Sequence, residues 1–176
     1  ADENSMLAVL DEVMRSKNQV NTILAGKTPE LRWITIASAK HALKDGLLTW
    51  DFASRADPDV VLVGVGDYMT KECLAAIDRL KTDAPEIKIR FVNIVRLSAA
   101  CTCKDTYHPQ LPNAEHYITR DKPGIVNFHG YPEAMRAILF NQEKPERFSV
   151  HGYQERGGTT TPFDMLVRNK TDRLHL

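Results

Sequence analysis

Residues Val60 to Val65 (VVLVGV) form a run without a polar side chain, entered through Asp57-Pro58-Asp59 and closed by Gly66-Asp67. A strand with one wet face alternates apolar and polar positions, and this run does not. It is short, mostly β-branched and bounded by breakers, so it reads as a strand buried on both faces. Such a strand needs a sheet covered from above and below.

The segments downstream supply that cover. Thr70 to Leu80 sets Cys73, Leu74, Ile77 and Leu80 on one side, which predicts an amphipathic helix with Cys73 in the core. Pro85 interrupts, and Ile87 to Val95 (IKIRFVNIV) predicts a second strand. Ile125 to Phe128 predicts a third, followed by a helix over Pro132 to Phe140. Phe148 to Val150 begins a short strand before Gly152. Thr161 to Asn169 is a last helix, with Pro162 in a first turn that needs no N–H. Strand and helix in this order imply βαβ crossovers. The fold class is therefore α/β, a three-layer α/β/α unit with a mostly parallel, Rossmann-like sheet.

The flanks are less regular. Met6, Leu7, Leu10, Val13 and Met14 predict a helix over 4–16, with Ser5 as N-cap. Val20 to Ala25 predicts a strand closing at Gly26. Thr35 to Leu43 predicts a helix ended by Gly46. Leu47 to Phe52 must pack Trp50 and Phe52, and 98–119 reads as a long loop or short helical turns.

With 176 residues the chain suits one cored domain. Its 23 Lys and Arg balance 23 Asp and Glu, which argues against a general nucleic-acid binder but permits a local cationic pocket for a phosphate. The three cysteines do not read as a disulfide framework, and a reducing cytoplasm is the simplest setting. No apolar run is long enough to span a membrane, and the opening ADENSML resembles no signal peptide. The missing initiator Met suggests a fragment.

Several motifs invite chemistry. Gly64-Val65-Gly66-Asp67 sits between strand and helix, but it lacks the third glycine of a dinucleotide fingerprint. A tight turn with Asp67 or Thr70 capping the helix is simpler. Cys101-Thr-Cys103, with His108 and His116, does not have the usual zinc spacing, and a solvated loop is the simpler reading. Gly26-Lys27 would end a strand at its carboxyl edge, where ligands collect in open α/β sheets. There Lys27 could meet a phosphate as a mobile point charge, or be an ordinary surface lysine. His129-Gly130-Tyr131 and His151-Gly152-Tyr153 repeat one tripeptide after two strands, and either could face a cleft or pack over its turn. Thr159, Thr160 and Thr161 lead into a helix N-terminus, as anion donors or as a cap and domain contact.

Taken together, the ordered segments carry a resemblance. RSKNQVNTILAGKTP (15–29), DPDVVLVGVGDYMTKECLAAIDRL (57–80), IKIRFVNIV (87–95), DKPGIVNFHGYPEAM (121–135) and HGYQERGGTTTPFDMLVRNKTDRLHL (151–176) resemble the C-terminal part of phosphoketolases. The segment 101–117 departs from that pattern, as a surface loop would.

The resemblance implies a transketolase-like C-terminal domain over 30–176, with 1–29 as linker or as the end of the preceding pyrimidine-binding domain. It implies a cytoplasmic, homodimeric or higher-order lyase that uses thiamine diphosphate and Mg2+. Such enzymes cleave xylulose 5-phosphate, and in many members fructose 6-phosphate, with inorganic phosphate to acetyl phosphate, water and an aldose phosphate. The cofactor belongs to other domains: its G-D-G motif with a following Asn is absent from this chain. The fragment is expected to be inactive alone, to bind no metal and to contribute no catalytic residue. From the matching Ala25-Gly26-Lys27-Thr28-Pro29, Lys27 is the implied contact to the sugar phosphate. His129, Tyr131, His151, Thr159, Thr160 and Thr161 remain interface or cleft candidates. The alternative is a non-catalytic regulatory or metabolite-binding Rossmann-like module.

Overall fold

The computed structural model describes residues 2–18, 20–27, 29–100, 114–155 and 157–176. Helices α1 (Glu3–Arg15) and α2 (Ile36–Asp45) precede strand β1 (Leu47–Thr49). Then come β2 (Val60–Val65), α3 (Asp67–Asp83), β3 (Ile89–Ile94), the short α4 (Glu115–Ile118), β4 (Gly124–Phe128), α5 (Pro132–Leu139), β5 (Phe148–Gly152) and α6 (Pro162–Asn169). The sheet order is β1-β3-β2-β4-β5. All pairs are parallel except β1 with β3.

The apolar run does occupy the centre. Val61, Val63 and Val65 face one layer, together with Ile118, Met135 and Leu139 from α4 and α5. Leu62 faces the other, against Cys73, Ala76 and Ile77 of α3. Trp50 and Phe91 complete this second layer edge to face, with ring centroids 5.2 Å apart. Cys73 is fully buried there, and burial pushes its thiol pKa up, as an inert core cysteine requires.

Register explains a glycine in the middle of β2. Gly64 lies between Asn93 of β3 and Asn127 of β4. A Cβ at Gly64 would sit 3.2 Å from the Thr70 Cα, so α3 lies directly on the strand. The neighbouring amides bind what comes close. Asn93 Nδ2 donates to Gly64 O and Thr70 Oγ1, both at 3.0 Å. Asn127 Nδ2 donates to Thr171 O at 2.8 Å and to Met69 O at 3.5 Å.

Some expectations need correcting. Val20 to Ala25 is no strand: the segment pairs with no strand of the sheet, and Val20 and Leu24 are 98% and 85% exposed. β-branched composition alone does not supply a partner for the backbone. The N-cap of α1 is Asp2, whose Oδ2 accepts from Ser5 N at 3.0 Å; Ser5 already lies in the first turn. Asp2 Oδ1 also accepts from the backbone N–H groups of Trp33 and Ile34, tying α1 to the later chain. Helix α3 starts at Asp67, with Gly66 at the N-cap position and no side-chain cap. Neither Asp67 nor Thr70 caps it. The segment 98–119 contains short turns at 97–100 and α4, while 101–113, with Cys101, Cys103 and His108, lies outside the described residues.

The C-terminal tail is held by charge. Glu72, 4% exposed, accepts from Arg173 N (2.9 Å), Nε (2.8 Å) and Nη2 (2.7 Å). The carboxylate raises the Arg173 pKa in return. Hydrogen bonds to charged groups are worth about 1.5–3 kcal/mol, so Glu72→Gln should cost about 2 kcal/mol. For a domain of this size that lowers Tm by roughly 4–8 °C. Differential scanning calorimetry checks this, and an unchanged Tm would mean that the tail is not held this way.

Candidate functional site

The chain leaves β2 toward β3 on one side and later returns to β4 on the other. The first crossover, α3, covers one face of the sheet; the second carries α4 to the opposite face. The carboxyl ends of β2 and β4 therefore diverge at a topological switch point, where open α/β sheets form their crevice.

Gly66 and His129 stand on the two sides of this crevice. His129 N donates to Val65 O at 2.9 Å. Gly66 has φ +101°, and a Cβ there would lie 2.5 Å from the His129 Cβ, so the corner admits only glycine. The exposed His129 ring packs edge to face with Tyr68 (5.8 Å) on one side and Tyr153 (6.3 Å) on the other. Tyr153 N donates to Gly130 O at 2.9 Å, which joins the two His-Gly-Tyr corners.

The Gly26-Lys27 segment reaches this edge by a different route from the one its sequence suggests. It ends no strand; it crosses the start of α3 as an exposed loop. Gly26 N donates to Asp67 Oδ2 at 2.7 Å. Four residues on, Glu30 Oε1 meets Lys71 Nζ at 3.0 Å. The Lys71 ammonium also lies 4.4 Å from the centre of the Tyr68 ring. Lys27 itself is exposed and forms no ion pair among the described residues.

The other candidates separate. His151 is on the edge strand β5, with Nδ1 2.7 Å from Lys170 O and Nε2 3.2 Å from Ser149 Oγ; it ties β5 to the end of α6. Tyr131 is 57% exposed beside α5. Thr161 caps α6, accepting from Asp164 N at 3.2 Å, and Thr160 Oγ1 donates to Thr161 O at 3.3 Å. Thr159 is exposed. Their loop connects to the crevice through Glu155, which accepts from Tyr153 Oη and Gly157 N, each at 2.7 Å. Sequence reasoning passed over Tyr68, Lys71 and Glu30, and named Tyr153 only as part of the second His-Gly-Tyr corner. The available signal was spacing: Asp67 and Lys71 are one helical turn apart, as are Tyr68 and Glu72.

A groove of about 400 Å³ on the α3 face adjoins Lys71 and is lined mainly by Leu31, Trp33, Phe52, Leu74 and Ile77. Its wall is largely apolar, with Trp33 stacked on Phe52 at 6.3 Å.

The donor set at the crevice does not fit a metal–diphosphate cofactor. Both nearby carboxylates, Asp67 and Glu30, are taken by protein donors. Among the described residues no group of three or more His, Cys, Asp or Glu side chains could hold a metal ion.

A family model described as the XFP C-terminal domain matches residues 27–176. The chain is 40% identical over 178 residues to probable phosphoketolase 2 of Rhizobium meliloti, covering 99% of this chain and 23% of that protein. It is 42% identical over 182 residues to probable phosphoketolase 2 of a Nostoc species, again covering 99% of this chain and 23% of the relative. The chain thus spans about 23% of the length of these curated relatives. Among solved structures, a Pichia stipitis transketolase in complex with sedoheptulose 7-phosphate has a TM-score of 0.56 at 12% identity, covering 84% of this chain and 18% of that one. Transketolase from Leishmania mexicana has a TM-score of 0.51 at 13% identity, covering 77% of this chain and 17% of the other. At such identities the likeness shows the fold alone, and that fold is the α/β arrangement expected from the sequence.

Proposed function

The chain belongs to the phosphoketolase family as its C-terminal domain, and on that premise we propose that it presents Lys27 to the phosphate of a sugar substrate within a longer enzyme. That enzyme cleaves xylulose 5-phosphate, or fructose 6-phosphate, with inorganic phosphate to acetyl phosphate, water and an aldose phosphate. Thiamine diphosphate, with Mg2+, supplies the carbanion chemistry when bound, and the remaining domains hold both. The whole is a cytoplasmic lyase working as a homodimer or higher homo-oligomer.

The observation that carries the Lys27 reading is its place. The loop bearing it is fastened at the carboxyl edge of β2, beside the switch point, and its ammonium has no ionic partner among the described residues. A lysine there binds a phosphate dianion as a compact, strongly hydrated charge on a flexible stem. It holds the end of the substrate remote from the bond that breaks, and contributes orientation rather than a proton. His129, edge-on between two tyrosines, shapes the adjoining wall.

We place the end of the preceding domain or a linker at 1–29 and the C-terminal domain at 30–176. The run 20–27, exposed except for the half-buried Ile23, supports a linker there. Helix α1 nonetheless packs Ala8 against Ala39 and Leu43 of α2, so the start of the linker docks on the domain that follows it.

Two experiments test this reading. In the full-length enzyme, Lys27→Ala should lower kcat/KM for the sugar phosphate about 10- to 200-fold, since a charge-assisted contact is worth about 1.5–3 kcal/mol. Most of the loss should appear in KM, with the thiamine diphosphate Kd unchanged. Lys27→Arg should recover part of it. Steady-state kinetics showing an unchanged kcat/KM would make Lys27 an ordinary surface lysine. The isolated chain, supplied with cofactor, Mg2+ and phosphate, should form no acetyl phosphate, and chain-dependent turnover would refute its inactivity alone.

A further inference from the structure

We infer that Asp67 and Lys71 are positioning residues that clamp the loop carrying Lys27, so that α3 sets where the substrate phosphate is met. This rests on the phosphate role proposed for Lys27. Asp67 and Lys71 lie one turn apart on one face of α3. Their partners, Gly26 and Glu30, are also four residues apart. The segment is therefore fastened at Gly26 and at Glu30 to positions one helical turn apart, with Lys27 next to the first clamp.

Each clamp is better than a casual surface contact. Asp67 is 9% exposed and accepts the Gly26 N–H at 2.7 Å, a short bond to a charged acceptor. A Cβ at Gly26 would lie 2.8 Å from Asp67 Oδ2, so this approach depends on the glycine. In the second clamp the side chains of Lys71 and Glu30 are 30% and 12% exposed, and Tyr68 covers the ammonium from one side. Partial burial protects the pair from the screening that weakens exposed ion pairs. The pairing also divides the labour of the two lysines at this edge. Lys71 is neutralised by Glu30, which leaves Lys27 as the cation offered to a phosphate.

The test uses the full-length enzyme and steady-state kinetics with the sugar phosphate. Asp67→Ala should raise KM about 5- to 10-fold, less than Lys27→Ala because the lysine is displaced rather than removed, with kcat changed less than about twofold. Asp67→Asn, which keeps an acceptor, should recover most of the loss. Gly26→Ala leaves α3 intact and should raise KM like Asp67→Ala, so the idea survives a poorly folding Asp67 variant. In a Lys27→Ala background, Asp67→Ala should add nothing, because both changes act through one contact. Additive effects, a loss confined to kcat, or an unchanged KM in Asp67→Ala and Gly26→Ala while Lys27→Ala behaves as proposed would overturn the clamp alone. An unchanged KM in Lys27→Ala would remove the phosphate contact and the clamp with it.

Discussion

At Gly64 the middle strand carries no side chain, and α3 comes down onto its backbone. The buried amides of Asn93 and Asn127, one on each neighbouring strand, bind the helix that this approach brings within reach. An amide in a core is costly unless it is hydrogen-bonded, and the bonds to Thr70 Oγ1 and Met69 O form only if α3 keeps its place. The first turns of α3 are therefore fixed relative to β2 and β4. Everything at the carboxyl edge is built from that anchorage. Asp67, Tyr68 and Lys71 all stand on it, and Asn127 extends it to the tail by binding Thr171.

The crevice follows from this geometry. Gly66, at positive φ, turns the chain sharply from strand to helix and leaves room for His129. The exposed histidine stands just past the paired ends of β2 and β4 and meets an aromatic ring from each flank. The loop carrying Lys27 is then laid across the front of α3. The phosphate role proposed for Lys27 needs reach as well as direction, and an exposed loop on a rigid helix provides both. The buried Glu72, next to Lys71 in α3, holds the C-terminal residues through Arg173.

The central sheet was legible because its signals are local. The apolar run at 60–65, the αL glycine at Gly46 and the Thr161-Pro162 start of α6 act through neighbouring backbone, and each stands where it was expected. Val20 to Ala25 misled because propensity cannot report whether a partner strand exists. Asp67 misled because a carboxylate in a first helical turn fits a capping pattern, whereas its bond goes 41 residues back to Gly26. Lys71 gave no signal in the sequence, because its partner Glu30 lies 41 residues away. Lys27 was reached through motif resemblance. Physics alone offered a strand end that does not exist, and the position at the sheet edge arises instead from tertiary contacts.

The role proposed for Lys27 depends on where the substrate phosphate rests. The most direct measurement is a crystal structure of the full-length enzyme with its sugar phosphate bound. It should show Lys27 Nζ within about 2.7–3.2 Å of a phosphate oxygen, at the carboxyl edge of β2, with Gly26 N still on Asp67. A phosphate bound elsewhere, with Lys27 left in solvent, would contradict it.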